Sequence, residues 1–77
     1  MIKVAIVGFG NIGKSVYEAI SASEDLALKC IVEPREVAVD VPVLKSVTEL
    51  NDIDVAILCL PSRAVPDIAA TLLSKGI

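Results

Sequence analysis

The 77 residues hold one small domain at most, and an apolar fraction of 55% exceeds the roughly 45–50% of a self-contained soluble domain. A net charge of −3, with one Phe, one Tyr and no Trp, excludes a basic, aromatic nucleic-acid surface. No apolar stretch reaches the roughly 18 residues of a membrane span, and Ile2 to Val7 is too short for a signal peptide.

Ile2 to Val7 is an apolar run broken by one lysine, the pattern of a buried parallel strand. It leads into Gly8-Phe9-Gly10-Asn11-Ile12-Gly13. Behind the first glycines, Ile12, Val16, Ala19 and Ile20 recur at helical spacing and predict a helix from Asn11 to Ala22. Strand, Gly-x-Gly-x-x-Gly, helix is the dinucleotide-binding fingerprint. Gly8 permits the tight turn, Gly10 lets a pyrophosphate approach the backbone, and Gly13 lets helix and strand pack closely. The anion is expected on unpaired N–H groups at the positive end of the helix dipole.

Gly8 to Ser15 also fits Gly-x4-Gly-Lys-Ser, the phosphate loop of nucleoside triphosphatases. That alternative starts the helix near Gly13-Lys14 and wants a later strand ending in a magnesium-binding Asp. Ile12 falls on the predicted apolar face, and the comparable later strand runs into Pro61. The dinucleotide reading stands well ahead.

Ser23-Glu24-Asp25 is a polar connection, and Leu26 to Val32 reads as a second strand. Glu33 stands twenty residues beyond Gly13, where a dinucleotide fold places the acid that holds the adenosine ribose hydroxyls. Arg35 is where a guanidinium instead clasps a 2′-phosphate. The alternative is that both are solvated turn charges. Val41 to Leu44, with Pro42, predicts a short edge strand. Ser46-Val47-Thr48-Glu49 fits a capping box, predicting a helix of one to two turns with Glu49 reaching the Ser46 N–H.

Asp54 to Leu60 carries no polar face, so helices are expected on both its sides. Pro61-Ser62-Arg63 follows at the carboxyl end of the strand, which faces the ligand crevice in a doubly wound sheet. Ser62 there either bonds the cofactor or caps the next helix. That helix starts at Pro66, turns Ile68, Ala69, Leu72 and Leu73 inward, and ends at Gly76. Ile77 is expected to begin another strand, leaving the chain mid-fold. The apolar excess likewise predicts faces covered by structure outside these residues.

Cys30 and Cys59 lie inside apolar runs without metal-ligand spacing and read as reduced core cysteines of a cytosolic protein. With right-handed crossovers, the element order predicts an α/β fold: a Rossmann-type doubly wound parallel sheet, first half only, with strand order 3-2-1-4.

The stretch Val4-Ala5-Ile6-Val7-Gly8-Phe9-Gly10-Asn11-Ile12-Gly13-Lys14-Ser15-Val16, with Leu58-Cys59-Leu60-Pro61-Ser62-Arg63-Ala64-Val65-Pro66, resembles the N-terminus of the meso-diaminopimelate dehydrogenase family. The glycine motif is shared by many oxidoreductases, and the Cys-x-Pro-Ser stretch is the more specific part. The resemblance covers nearly all of this chain but only the opening part of a family member. It implies a homodimeric bacterial enzyme of lysine and cell-wall biosynthesis, and the reduced cysteines place it in the cytoplasm. Such an enzyme reversibly deaminates meso-2,6-diaminopimelate to L-2-amino-6-oxopimelate, passing hydride to NADP.

By that resemblance, Gly10, Asn11 and Ile12 present backbone to the pyrophosphate, and Cys59, Leu60, Pro61 and Ser62 line the path to the nicotinamide ribose. The amino-acid substrate belongs to a domain outside these residues, so no catalytic residue is assigned and the segment alone is expected to be inactive. No metal, nucleic acid or membrane partner is expected. The family usually carries a small polar residue and then arginines after the second strand. Here Glu33 and Pro34 precede Arg35. The departure leaves NAD as the alternative to NADP. Two further readings stay open: the cofactor half of another NAD(P)-dependent oxidoreductase, and a non-catalytic nucleotide-sensing module.

Overall fold

The computed structural model describes all residues, Met1–Ile77. Four parallel strands form one sheet in the order β3-β2-β1-β4: β1 is Ile2–Val7, β2 Leu26–Val32, β3 Val43–Leu44 and β4 Val55–Leu58. Helix α1, Asn11–Ser21, connects β1 to β2, and α2, Val65–Ser74, follows β4. Single 3₁₀ turns lie at Val47–Glu49 and Ser62–Ala64. The predicted strand order and parallel direction are both present. A Rossmann-type half-sheet results.

Alternation along β1 divides the core in two. Val4 and Ile6 pack on the α1 side with Phe9, Ile20 and Ile31, while Ala5 and Val7 pack on the α2 side with Cys30, Val32, Val47 and Leu72. β2 changes phase partway. Val4 pairs with Leu28 but Ala5 with Cys30, so Lys29 is an extra, exposed residue in the register. That bulge keeps the lysine in water while the apolar residues on either side of it face opposite cores.

Helix α1 begins at Asn11 as expected, but its inner face differs from the predicted one. Gly13, Val16, Tyr17 and Ile20 face the sheet, whereas Ala19 is exposed and Ile12 is 72% exposed. The reason is Gly13. A Cβ on it would stand 2.5 Å from the Gly8 carbonyl oxygen, so helix and turn approach closest at a residue that hydrophobic periodicity does not count. Gly13→Ala is therefore expected to destabilise the fold by about 1–3 kcal/mol, the usual cost of overpacking. Thermal unfolding checks it, and an unchanged midpoint contradicts the close approach.

Other expectations need correction. Glu49 accepts a hydrogen bond from the Lys45 N–H at 3.0 Å, not from Ser46, and the segment closes only one 3₁₀ turn. Ser46 Oγ does accept from the Thr48 N–H, at 3.3 Å. β4 is shorter than predicted and lies at a sheet edge, so its residues are half-buried, and Val55 is exposed, rather than covered on both sides. Leu73 points outward, 73% exposed. Gly76, at φ +80°, does follow α2, in the left-handed conformation of a helix stop. Ile77 opens no strand, because its N–H donates to the Leu72 carbonyl at 3.0 Å in that same stop motif. No helix is long and apolar enough to cross a membrane.

Candidate dinucleotide-binding site

The carboxyl ends of β1, β2 and β4 meet at the glycine turn. Gly8 N–H donates to the Val32 carbonyl at 2.8 Å, and Cys59 N–H donates to the Val7 carbonyl at 2.8 Å. Gly8 has φ +93°, and a Cβ there would lie 2.5 Å from the Cys59 carbonyl oxygen. Only glycine fits this crossing. Gly10, in contrast, is extended at φ −85°, and a Cβ on it meets nothing within 4 Å. It occupies the N-cap of α1, and no side chain caps that helix end. The N–H groups of Asn11, Ile12 and Gly13 therefore have no intrahelical partner and face the position expected for an anion.

Glu33 follows β2 and is buried, 6% exposed. Its Oε1 accepts from the Phe9 N–H at 3.0 Å and from Arg35 Nη2 at 2.9 Å. Its Oε2 accepts from Arg35 Nε at 3.1 Å and from the Arg35 N–H at 3.2 Å. Arg35 Nη2 also donates to the Phe9 carbonyl at 3.4 Å. The Arg35 hydrogen bonds hold the Glu33 carboxyl down at about 2 against an opposing desolvation, with the Arg35 and Phe9 N–H groups assisting. In turn, Glu33 raises the Arg35 pKa. Neither is a free solvated charge. Four donors occupy the lone-pair directions of one carboxylate, so Glu33 joins the end of β2 to the glycine turn and orients Arg35.

Three cavities surround this junction. One of about 510 Å³ brings together Gly10, Asn11, Ile12, Cys59, Leu60 and Pro61. A second, of about 230 Å³, includes Gly8, Glu33, Lys45, Ser46, Leu60 and Ile68. The third, of about 360 Å³, is lined by Phe9, Lys14, Arg35, Glu36, Val37 and Ala38. Gly13 is buried on the inner face of α1 and reaches no cavity. Ser62 is exposed in its 3₁₀ turn and caps nothing; the N-cap of α2 is Ala64. Burial raises the Cys59 and Cys30 thiols above the ordinary value, and both cysteines are free.

Residues 2–77 match the oxidoreductase family with an NAD-binding Rossmann fold. The chain belongs to that family. Over 99% of its length it is 41% identical to the meso-diaminopimelate D-dehydrogenase of Bacteroides fragilis, of which it covers 27%. A crystal structure of an engineered D-amino acid dehydrogenase bound to NADP+ superposes with a TM-score of 0.79 at 35% identity, covering 92% of this chain and 24% of that one. The chain thus spans about a quarter of the length of these relatives.

For a Rossmann oxidoreductase the glycine segment is placed as the fingerprint requires. The triphosphatase alternative fails on geometry, since Gly13 and Lys14 lie inside α1 instead of at its start. Two features at the Rossmann site escaped the sequence. Phe9, read only as the spacer between glycines, supplies the N–H that Glu33 holds and packs edge-on against Tyr17, with ring centroids 5.8 Å apart. Lys14 carries a role in the sequence only under the phosphate-loop alternative. Its position beside Arg35 was legible only with the path of residues 36–38.

Proposed function

We propose that this chain is the cofactor-binding segment of an NADP-dependent amino-acid dehydrogenase. The reaction we assign to the whole enzyme is reversible oxidative deamination of meso-2,6-diaminopimelate to L-2-amino-6-oxopimelate, in a cytoplasmic homodimer serving lysine biosynthesis. Support comes from the identity to the Bacteroides fragilis enzyme and the likeness to an NADP+-bound D-amino acid dehydrogenase. The observation that carries the cofactor choice is the inward-facing Glu33. A carboxylate about 5 Å from a 2′-phosphate costs roughly 3 kcal/mol per charge at an effective dielectric near 20. Glu33 is removed from that position by its bonds to Phe9 and Arg35, and it fixes the guanidinium at the cavity rim.

The bound nicotinamide supplies the hydride acceptor. The chain's own residues bind and orient it: Asn11 and Ile12 offer N–H groups to the pyrophosphate, and Gly10 keeps its approach to the backbone open. Cys59, Leu60, Pro61 and Ser62 flank the path toward the nicotinamide ribose, and Gly8 fixes the turn. Substrate carboxylates and the amine fall to the remainder of the enzyme, so the 77 residues alone turn over nothing.

Titrations of NADP and NAD against wild type and Arg35→Ala test this. Wild type is expected to prefer NADP. Arg35→Ala should lower the NADP-to-NAD affinity ratio roughly 10- to 100-fold, the range for hydrogen bonds to charged groups. The ratio matters because Arg35→Ala also frees Glu33 and loosens the turn, which affects both cofactors alike. A wild type preferring NAD, or an unchanged ratio, contradicts the NADP assignment. Diaminopimelate oxidation by the 77 residues alone contradicts the division of labour.

A further inference from the structure

Lys14 has no ion pair, stands exposed on α1, and shares a cavity with Arg35. Three residues further along α1, Tyr17 Oη donates to Asp40 at 2.5 Å, and Tyr17, Val37, Val39 and Val41 all pack against the same buried cluster. Residues three apart share a helix face, so Lys14 lies on the side of α1 that meets the segment after Arg35. Arg35 lines the same cavity, with Nε and Nη2 held by Glu33 and Nη1 unengaged.

We propose that Lys14 is a cofactor-specificity residue, forming with Arg35 a two-cation subsite for a phosphomonoester on the adenosine 2′-oxygen. This rests on the dinucleotide reading above and deepens it. The charge balance around the cavity calls for the second cation. Arg35 is opposed by Glu33 behind it and by Glu36 in the cavity lining, so without Lys14 the surroundings carry one net negative charge. A phosphate dianion would then meet repulsion. With Lys14 the surroundings are neutral, two cationic groups line the cavity, and charge-assisted bonds can form from both of them. A lysine suits that role because its ammonium is a compact, mobile charge on a flexible stem, whereas Arg35 is fixed.

The test uses adenosine 2′,5′-bisphosphate and adenosine 5′-monophosphate, which differ only in the 2′-phosphate, titrated against wild type, Lys14→Met and Lys14→Arg. Wild type is expected to prefer the bisphosphate, Lys14→Met to lose roughly tenfold in bisphosphate affinity with monophosphate affinity kept, and Lys14→Arg to retain the preference. The preference should also shrink as salt screens the exposed ammonium. Unchanged bisphosphate binding by Lys14→Met, or equal loss of both ligands, overturns the subsite while leaving the dinucleotide reading intact. Failure of wild type to bind either nucleotide or NADP overturns both. Lys14 is exposed, and a thermal melt verifies that each variant is folded.

Discussion

Gly10→Val is expected to abolish dinucleotide binding while the chain keeps its fold. The three glycines of one motif divide by what a side chain would strike. At Gly8 and Gly13 a Cβ lands 2.5 Å from a backbone carbonyl oxygen, so substitution there attacks the fold itself. At Gly10 a Cβ meets nothing within 4 Å, and the residue is extended rather than left-handed. Valine is a poorer N-cap than glycine but strikes nothing there, so stability should fall by only about 1 kcal/mol. Its two methyl groups would fill the open space over the N–H groups of Asn11 and Ile12. Losing two charge-assisted hydrogen bonds costs about 3 kcal/mol or more, over a hundredfold in affinity. Calorimetric titration with NADP and NAD, beside a thermal melt, reads both halves. Unchanged affinity in a folded Gly10→Val protein would show that the glycine serves something other than pyrophosphate approach.

The sheet was legible because β1 and β2 are short apolar runs bounded by turn residues, and the order 3-2-1-4 follows from right-handed crossovers. Periodicity misled where a residue without a side chain sets the packing. Gly13 carries the inner face of α1, so counting apolar residues promoted Ile12, which is exposed, even though the predicted helix start is correct. β4 reads as fully buried because its run has no polar face, whereas the predicted order 3-2-1-4 already sets it at the sheet edge, where its residues are half-buried. The site shows the same division. Spacing located Glu33 at the end of β2, but its direction depends on the Phe9 N–H, 24 residues earlier in the chain. Pro34 biases Glu33 toward extended backbone, and the actual partners appear only when β1 and β2 lie side by side.

Loss of the Glu33 carboxylate should weaken both the fold and the site. In the folded chain this carboxyl is held at about 2, against an ordinary 4.5. The unfolded state therefore binds more protons between those values. The stabilisation is fully present above the unfolded pKa and is lost as pH falls from about 4.5 toward 2. Taken at face value the shift corresponds to about 3 kcal/mol, but Arg35 is largely exposed and solvent screening reduces this to about 1–2. Glu33→Ala at neutral pH adds a second loss, because the Phe9 N–H is left without its acceptor, for a total of about 2–4 kcal/mol. Glu33→Gln keeps an acceptor for Phe9 and removes the charge. It should lie between wild type and Glu33→Ala at pH 7 and lose less stability than wild type between pH 4.5 and 2. Comparing the two acid profiles isolates Glu33 from the other carboxylates, among them Asp52, which Lys3 also holds below the usual range. The same substitutions release Arg35 from its fixed orientation, so the preference for NADP over NAD should fall in both variants at neutral pH. Chemical denaturation at several pH values, with paired cofactor titrations, measures each effect. A Glu33→Ala protein as stable as wild type, with the same acid profile and the same cofactor preference, would mean that Glu33 neither secures the glycine turn nor orients Arg35.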